Sequence, residues 1–566
     1  MSIYVRRNGA CAPGYRKRHS LLIGILIIAL IFMGIIHIPF FSPAAYASVQ
    51  IPFSVRIGLN YNSSAAEHKA APSYQVYSEY GVSMGRADIS GNSSHLFDFS
   101  FSGDSEKMML TRHTYNKGFA VVTGRDLVSV YDVSSRVRAL QQKGYDPQLA
   151  YLNGWVLIVA FYDSQGAAQS DIEATMAESF PDFGFTAEAL TGKYIVVAIG
   201  NIRQFIFDAG AENLRIMPKA PADGEKPALI EIGGKLYRGA IELISEGNNM
   251  TAINIVPLEG YLYGVVPREI EASSSHEALK AQATAARTYS VITLGKHSDY
   301  GFDMCSTTHC QVYGGYESEN PRSSLAVDDT AGKIVTYRGA PAEVYYFSSS
   351  GGHTANVKHV WNSERNYPYL IGVEDKYESG LSNHYLWETV YTAQEIKARL
   401  ASGGVDVGDV TGVAVTGISS SGHAIEVTVT GTRGSKVYTN ASCRSFLPNL
   451  YSQMYTIFAT SAGSSAGAGS QSYTAISASG ALTKMAGGGD AIGTSGKLDR
   501  YKGNGGVAIS GAGYVSLPAG GVSFHFIGRG WGHGVGMSQE GAKGMANAGF
   551  TYIEILTHYF PGCEVG

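Results

Sequence analysis

The stretch from Gly528 to Gly562, GRGWGHGVGMSQEGAKGMANAGFTYIEILTHYFPG, constrains this chain more than any other. Its opening glycines alternate with Arg529, Trp531, His533 and Val535, a pattern suited to a tight loop and too unusual for generic packing. The spacing fails the dinucleotide fingerprint GxGxxG, and no Walker pattern occurs there, so nucleotide binding is unsupported. Trp531 and Met537 read as packing residues. EGAKGMANAG and TYIEILTHYF read as two short amphipathic helices that close a domain.

Composition narrows the partner. With 566 residues and 45% hydrophobic content the chain is globular and long enough for two or three domains, while a net charge of −4 and 16% charged residues give no field for polyphosphate. Nucleic acid is therefore excluded as a partner, and an uncharged polymer fits better. The 36 Tyr and 69 Gly suit β-rich surfaces. At the N-terminus, Arg6, Arg7, Arg16, Lys17 and Arg18 precede an uncharged run from Leu21 to Phe41 broken only by His37, a run able to cross a bilayer. Residues 1–48 thus read as a basic cytoplasmic flank plus a signal peptide or membrane anchor. Ala45 and Ala47 in AYAS leave both cleavage and retention open. Everything after about residue 48 is expected outside the cytoplasm, anchored facing the cell wall or secreted.

Residues 49–115 carry alternating stretches such as Val55, Ile57 and Leu59, a β-rich segment of unassigned role. From 116 to 204, strands such as WVLIVAFY and KYIVVAIG alternate with the helix-like VSSRVRALQQKGY and SDIEATMAESF, which predicts a small α+β domain. Pro218, Pro221 and Pro227 mark 205–233 as a linker. From 234 to 566 the pattern predicts a mixed, β-rich α+β domain, opening with KLYRGAIELI and TAINIV as antiparallel strands that feed an apolar strand, VPLEGYLYGVV. Ser274 to Glu277 reads as a capping box before the Ala-rich helix EALKAQATAARTYSVITL, whose Ala278, Ala281 and Ala285 let another element approach closely. The stretch from about 461 to 521 is a Gly/Ser-rich insertion.

Paired with VPLEGYLYGVVPREIEASSSHEALKAQATAARTYS, from Val256 to Ser290, the Gly528–Gly562 block closely resembles the signature ends of the sporulation stage II protein D/LytB family. That family comprises peptidoglycan-cleaving lytic transglycosylases and related cell-wall proteins. The element order at 116–204 resembles a divergent SPOR domain, a module that binds glycan strands stripped of peptides; a generic small domain without a ligand has the same order.

Glycosidic cleavage needs a group that protonates the leaving oxygen, and Glu269 is the best candidate. It follows Val265, Val266 and Pro267, at an expected strand end that leads to a helix N-terminus. An apolar wall disfavours its ionised form, whereas Arg268 and the helix terminus push the other way, so the sequence leaves the sign of the net shift open. GVVPREI resembles the family's catalytic-Glu motif, which selects Glu269 over Glu259 and Glu271. The resemblance implies that Glu269 protonates the bond between N-acetylmuramic acid and N-acetylglucosamine. It then takes a proton from the muramic C6 hydroxyl, which attacks its own C1 and leaves a 1,6-anhydro end, so no metal or organic cofactor is required. Arg287 matches a position near the active site, for orientation or sugar contact, and Tyr289 is an aromatic platform or core. In YYFSSSGGHTANVKHVW, the serine-glycine motif Ser349, Ser350, Gly351, Gly352 and Thr354 is expected to meet sugar oxygens, and Trp361 stacks on a ring or belongs to the core. His533 bonds substrate, orients Glu269, or is satisfied by backbone.

His297, Cys305, His309 and Cys310 fall in one short loop. Two thiolates and two imidazoles suit a closed structural zinc site, as in some family members, and a Cys305–Cys310 disulfide is the competing reading. Three functions follow from the resemblance: a lytic transglycosylase for cell-wall remodelling or sporulation, a non-catalytic modifier of a cell-wall amidase, and a glycan-binding adaptor. Glu269 in its motif favours the first, with peptide-free glycan strands as substrate and an amidase as partner.

Overall fold

In the computed structural model the described residues run from 52 to 566, except 63–68, 88–92, 100–106, 126–129, 191, 223, 225, 362–366 and 379–381. Between 462 and 521 only the backbone of short paired strands is described. The basic flank, the apolar run and most of the insertion lie outside the described residues. No described helix is long and apolar enough to cross a membrane.

Two large sheets carry the first half of the chain. In Ser54–Asn60, Val55, Ile57 and Leu59 are buried while Ser54 and Arg56 are not, so the period-2 pattern lays one face on the core. This strand lies between Asn249–Pro257, antiparallel, and the short Met304–Cys305, parallel. Ala240–Glu246, Asn213–Pro218, Val82–Ala87 and Ser93–Phe99 complete a seven-stranded sheet. The other sheet has ten strands in the order Lys235–Arg238, Leu229–Ile232, Ser73–Tyr77, Met108–His113, Tyr194–Ile199, Ile202–Asp208, Gln148–Tyr151, Trp155–Tyr162, Phe119–Thr123 and Phe185–Ala189. Both sheets contribute to one core, with Val55, Met84, Ile216 and Leu243 from one and Val76, Leu110, Ile195 and Phe207 from the other.

The overall class is therefore mixed α+β and β-rich. Strands and helices alternate between 119 and 199, with helices Val130–Gln142 and Gln165–Asp171, but the sheet continues past both ends of that stretch. The expected linker at 205–233 is instead strand. Ile202–Asp208, Asn213–Pro218 and Leu229–Ile232 pair within both sheets, because Phe205, Phe207, Leu214, Ile216 and Ile230, on either side of the prolines, are apolar enough to be buried.

VPLEGYLYGVV is a second correction. It forms the helix Leu258–Glu269, not a strand, since Leu258, Tyr261, Leu262, Val265 and Val266 fall at i, i+3, i+4, i+7 and i+8 and bury one helical face. The next helix, His276–Ile292, begins at Ser275 without the expected capping box. Glu277 instead accepts from the Tyr552 amide at 2.6 Å and pairs with Lys280, and Ser275 bonds Asn547 at 2.6 Å. Tertiary partners thus take the groups that local capping would use. Ala278, Ala283 and Ala286 face the two-sheet core and Ala281 and Ala285 face a second core built by the C-terminal helices, so small side chains are needed on both sides.

The region after 385 folds around a third core of Trp387, Ile396, Leu400, Val427, Phe524 and Phe526. Its strand Val522–Arg529 pairs with Leu386–Thr392 on one side and Tyr455–Ser461 on the other, and delivers the glycine-rich loop. In that loop Gly530, Gly532, Gly534 and Gly536 all take positive φ, which explains the alternation in the sequence. Met537–Ser538 then pairs in parallel with Tyr346–Phe347, and the two expected terminal helices follow as Gln539–Asn547 and Tyr552–Tyr559.

Candidate active site

Glu269 closes the helix Leu258–Glu269, with Ile270 already extended. A helix C-terminus carries partial negative charge, so the dipole opposes ionisation here, where a helix N-terminus was expected to favour it. Burial is the largest influence and raises the carboxyl above its usual range, against a hydrogen bond from the Val312 amide at 3.1 Å, one from the Gln539 side chain, and the charge of Arg268. The net sign, open in the sequence, is upward.

Aromatic hydroxyls and amides surround this carboxyl. Gln311 is buried and donates to Tyr346 Oη at 2.7 Å and to the Ala286 carbonyl at 3.2 Å, while Tyr261 and Ser290 donate to its oxygen at 3.3 and 2.9 Å. Burial pushes the phenols of Tyr261, Tyr289 and Tyr346 up, so all three are neutral donors near Glu269. Tyr289 is half-buried and meets Tyr346 edge-on at 6.4 Å. Gln539 Nε2 also reaches Gln282 Oε1 at 3.4 Å. Gln539 opens the helix Gln539–Asn547, and that position aims its side chain at Glu269.

Arg287 does not face a groove. It is fully buried, with Nη2 2.6 Å from Glu259 and further bonds to the carbonyls of Val327 and Lys333, both at 3.1 Å. Its donors are engaged inside the protein, so it ties three helices together and its expected sugar contact is corrected. The serine-glycine loop is also turned inward. Ser349 and Ser350 donate their hydroxyls to Glu378, which is fully buried and also accepts from the Ser350 amide at 2.6 Å, the Gly351 amide at 3.4 Å and Ser538 Oγ at 3.0 Å. Thr354 is buried against Val373, and only Gly352 keeps part of its surface. A buried carboxylate needs these donors more than solvent does.

Asp375 lies beside Glu378 and is 1% exposed. Burial first, and the Glu378 charge second, push it up to about 7. The hydroxyls of Ser350, Ser538 and Tyr559 lie near it, but none is aligned well enough to satisfy either of its oxygens. His533 is satisfied by backbone: Nδ1 accepts from the Val535 amide at 3.1 Å. Its ring is enclosed by Phe347 and Trp361, at 5.4 and 5.0 Å, and burial pushes it down to about 3 although one edge reaches the surface.

The four candidate metal ligands do come together. Their donor atoms all lie within 4.8 Å of one another, with Cys310 Sγ 3.4 Å from His297 Nε2 and Cys305 Sγ 3.8 Å from His309 Nδ1. Bonds of about 2.3 Å to sulfur and 2.0 Å to nitrogen put tetrahedral donors roughly 3.3–3.8 Å apart, so the set fits zinc. Cys305 and Cys310 are free thiols, as are the buried Cys443 and Cys563. Neighbouring hydrogen bonds push the Cys305 thiol down.

Residues 246–337, which hold Glu269, Arg287 and all four ligands, match the family described as Stage II sporulation protein. Residues 346–476 match a Domain of unknown function (DUF8618). Over 411 residues the chain is 29% identical to a Bacillus subtilis (strain 168) protein named amidase enhancer, covering 71% of this chain and 53% of that one. Over 332 residues it is 28% identical to stage II sporulation protein D of the same organism, covering 56% and 76%. Residues 246–337 carry a domain of the stage II sporulation protein D/LytB family. An uncharacterized Brachyspira hyodysenteriae protein is 27% identical over 335 residues, with 59% and 73% covered. The chain spans about half the length of the amidase enhancer, and its match to the Stage II sporulation protein family ends before the serine-glycine loop begins.

Proposed function

We propose that this protein is a peptidoglycan lytic transglycosylase acting through Glu269. The raised carboxyl at a helix C-terminus, inside a neutral Tyr and Gln shell, carries the reading: burial favours its protonated, proton-donating form. Protonated Glu269 gives its proton to the glycosidic oxygen, the C1–O bond breaks, and N-acetylglucosamine leaves with a free 4-hydroxyl. The carboxylate then removes the C6 hydroxyl proton as O6 bonds to C1, forming the 1,6-anhydro end and restoring the acid. The nucleophile is intramolecular, so one carboxyl suffices where other glycosidases need two. The test is mass analysis of peptide-free glycan strands after incubation with the exported part. Wild type yields 1,6-anhydromuramic ends and Glu269→Gln yields none; wild type without such ends overturns the reading.

A second reading rests on the relative named amidase enhancer: the protein binds wall and stimulates an amidase. Amidase turnover that rises equally with wild type and Glu269→Gln would favour it. Either role requires exposure to the wall, consistent with the apolar run at 21–41 as an export signal or anchor, and a sporulation or vegetative setting serves both.

We also propose a structural zinc at His297, Cys305, His309 and Cys310. Four protein ligands leave no open position, so a bound zinc would brace the loop without activating water. Metal analysis should find about one zinc per chain, with a lower Tm after chelation and none bound in Cys305→Ser. Metal-free protein two protons lighter, from a Cys305–Cys310 disulfide, overturns it.

A further inference from the structure

Two tryptophans on this molecule are propped from behind and left open in front. Trp361 is 40% exposed and Trp531 45% exposed, although each lies next to a packed core. Tyr345 and His533 meet the Trp361 ring at 4.7 and 5.0 Å, tilted by 60° and 50°. His384 and Tyr451 meet Trp531 at 4.1 and 5.9 Å. Trp531 is further fixed by reciprocal backbone bonds with Ser349, at 3.0 and 2.7 Å. The supporting rings hold each indole without covering its outer face.

We propose that Trp361 and Trp531 form sugar-stacking subsites for an uncharged glycan strand extending away from Glu269. This deepens the transglycosylase reading and rests on it for the identity of the strand. Continuity carries the argument. Tyr346, bonded at 2.7 Å to Gln311 beside the Val312 amide that bonds Glu269, meets Tyr289 at 6.4 Å and follows Tyr345, whose ring packs on Trp361 at 4.7 Å. His533 joins Trp361 to the turn that carries Trp531. An aromatic row therefore leads outward from the acid. Pyranose rings offer C–H faces that stack on indoles and hydroxyl rims that seek polar tips, and Tyr345 Oη, bonded to Glu343 at 3.2 Å, is such a tip at the row's edge. The enclosed His533 adds no charge, which suits a neutral polymer. Exposed tryptophans also anchor protein partners, but nothing in that chemistry requires a row starting at a buried acid.

The test uses the full exported chain carrying Glu269→Gln, so that binding is read without turnover, titrated with a peptide-free tetrasaccharide and with long peptide-free strands. The parent should bind long strands more tightly. Trp361→Ala should lose about tenfold on long strands and little on the tetrasaccharide, Trp531→Ala should act in the same direction, and Trp361→Tyr should recover most of the loss. Equal affinity of parent and both alanine variants for long strands overturns the proposal, as does a loss as large on the tetrasaccharide. Binding of an amidase that is weakened by Trp361→Ala while glycan affinity is untouched assigns the surface to a protein and also overturns it. Length-dependent binding in a protein that makes no anhydro ends would sink the transglycosylase reading and leave the subsites standing.

Discussion

In the proposed mechanism Glu269 acts as a proton donor, so cleavage should fall as pH climbs through its raised folded-state value. The Gln539 side chain favours the ionised form, so Gln539→Leu should move the alkaline limb of the kcat/KM profile to higher pH; an unmoved limb would deny Gln539 contact with the acid. Arg287 makes the opposite prediction. Arg287→Met leaves Glu259 without its partner and should cost about 3 kcal/mol or more in urea unfolding, with kcat per folded molecule unchanged. Asp375 brings a pH-dependent stability. Its folded value is raised from 3.8 to about 7, so its contribution is complete below about pH 4 and is lost as pH rises through 7, on the order of a few kcal/mol. Asp375→Asn should flatten the urea midpoint between pH 5 and 8. At this scale the motif made Glu269 legible, but not the sign of its shift, which depends on which helix end it occupies. Ser349 and Ser350 were equally visible; Glu378, a lone acid 28 residues further on, carried no pattern to say what they hold.

The elements show where periodicity was enough and where it was not. The Ala-rich helix was legible because small residues on every face leave few alternatives to burial between two layers. VPLEGYLYGVV was misread because its apolar residues are dense enough to fit period 2 as well as 3.6, and only the buried face distinguishes them. The capping box failed because Glu277 is taken by the Tyr552 amide, a partner 275 residues away. The helix Gln539–Asn547 offers a direct test of packing against propensity. A Cβ on Gly541 would lie 2.0 Å from Tyr559 Oη and 2.2 Å from Asp375 Oδ2. Alanine improves helix propensity by at most about 1 kcal/mol, whereas overpacking costs about 1–3 kcal/mol. Gly541→Ala should therefore lower the thermal midpoint, and because Gln539 opens the same helix, it should lower activity as well.

At the scale of the molecule, the boundaries that composition drew at 115, 204 and 233 are crossed by paired strands. No local signal announces that Ser54–Asn60 will lie between segments about 200 and 250 residues later, since register between distant strands is decided by shared burial alone. A chain beginning at 234 should accordingly fail to give a cooperative unfolding transition, while one beginning at 52 should fold, as circular dichroism would show.

That inner strand also fixes a sequence of events. Arg56 and Asp303 exchange backbone and carboxylate bonds, both 2.9 Å, across the seam that positions the loop leading to Val312. A nascent chain emerging N-terminus first must therefore wait for residue 304 before its earliest strand has both neighbours. Until then Glu269 lacks the desolvated setting that raises its carboxyl. Non-local pairing of this kind is slow to form, so an incompletely delivered polypeptide lacks the setting on which the proposed acid depends.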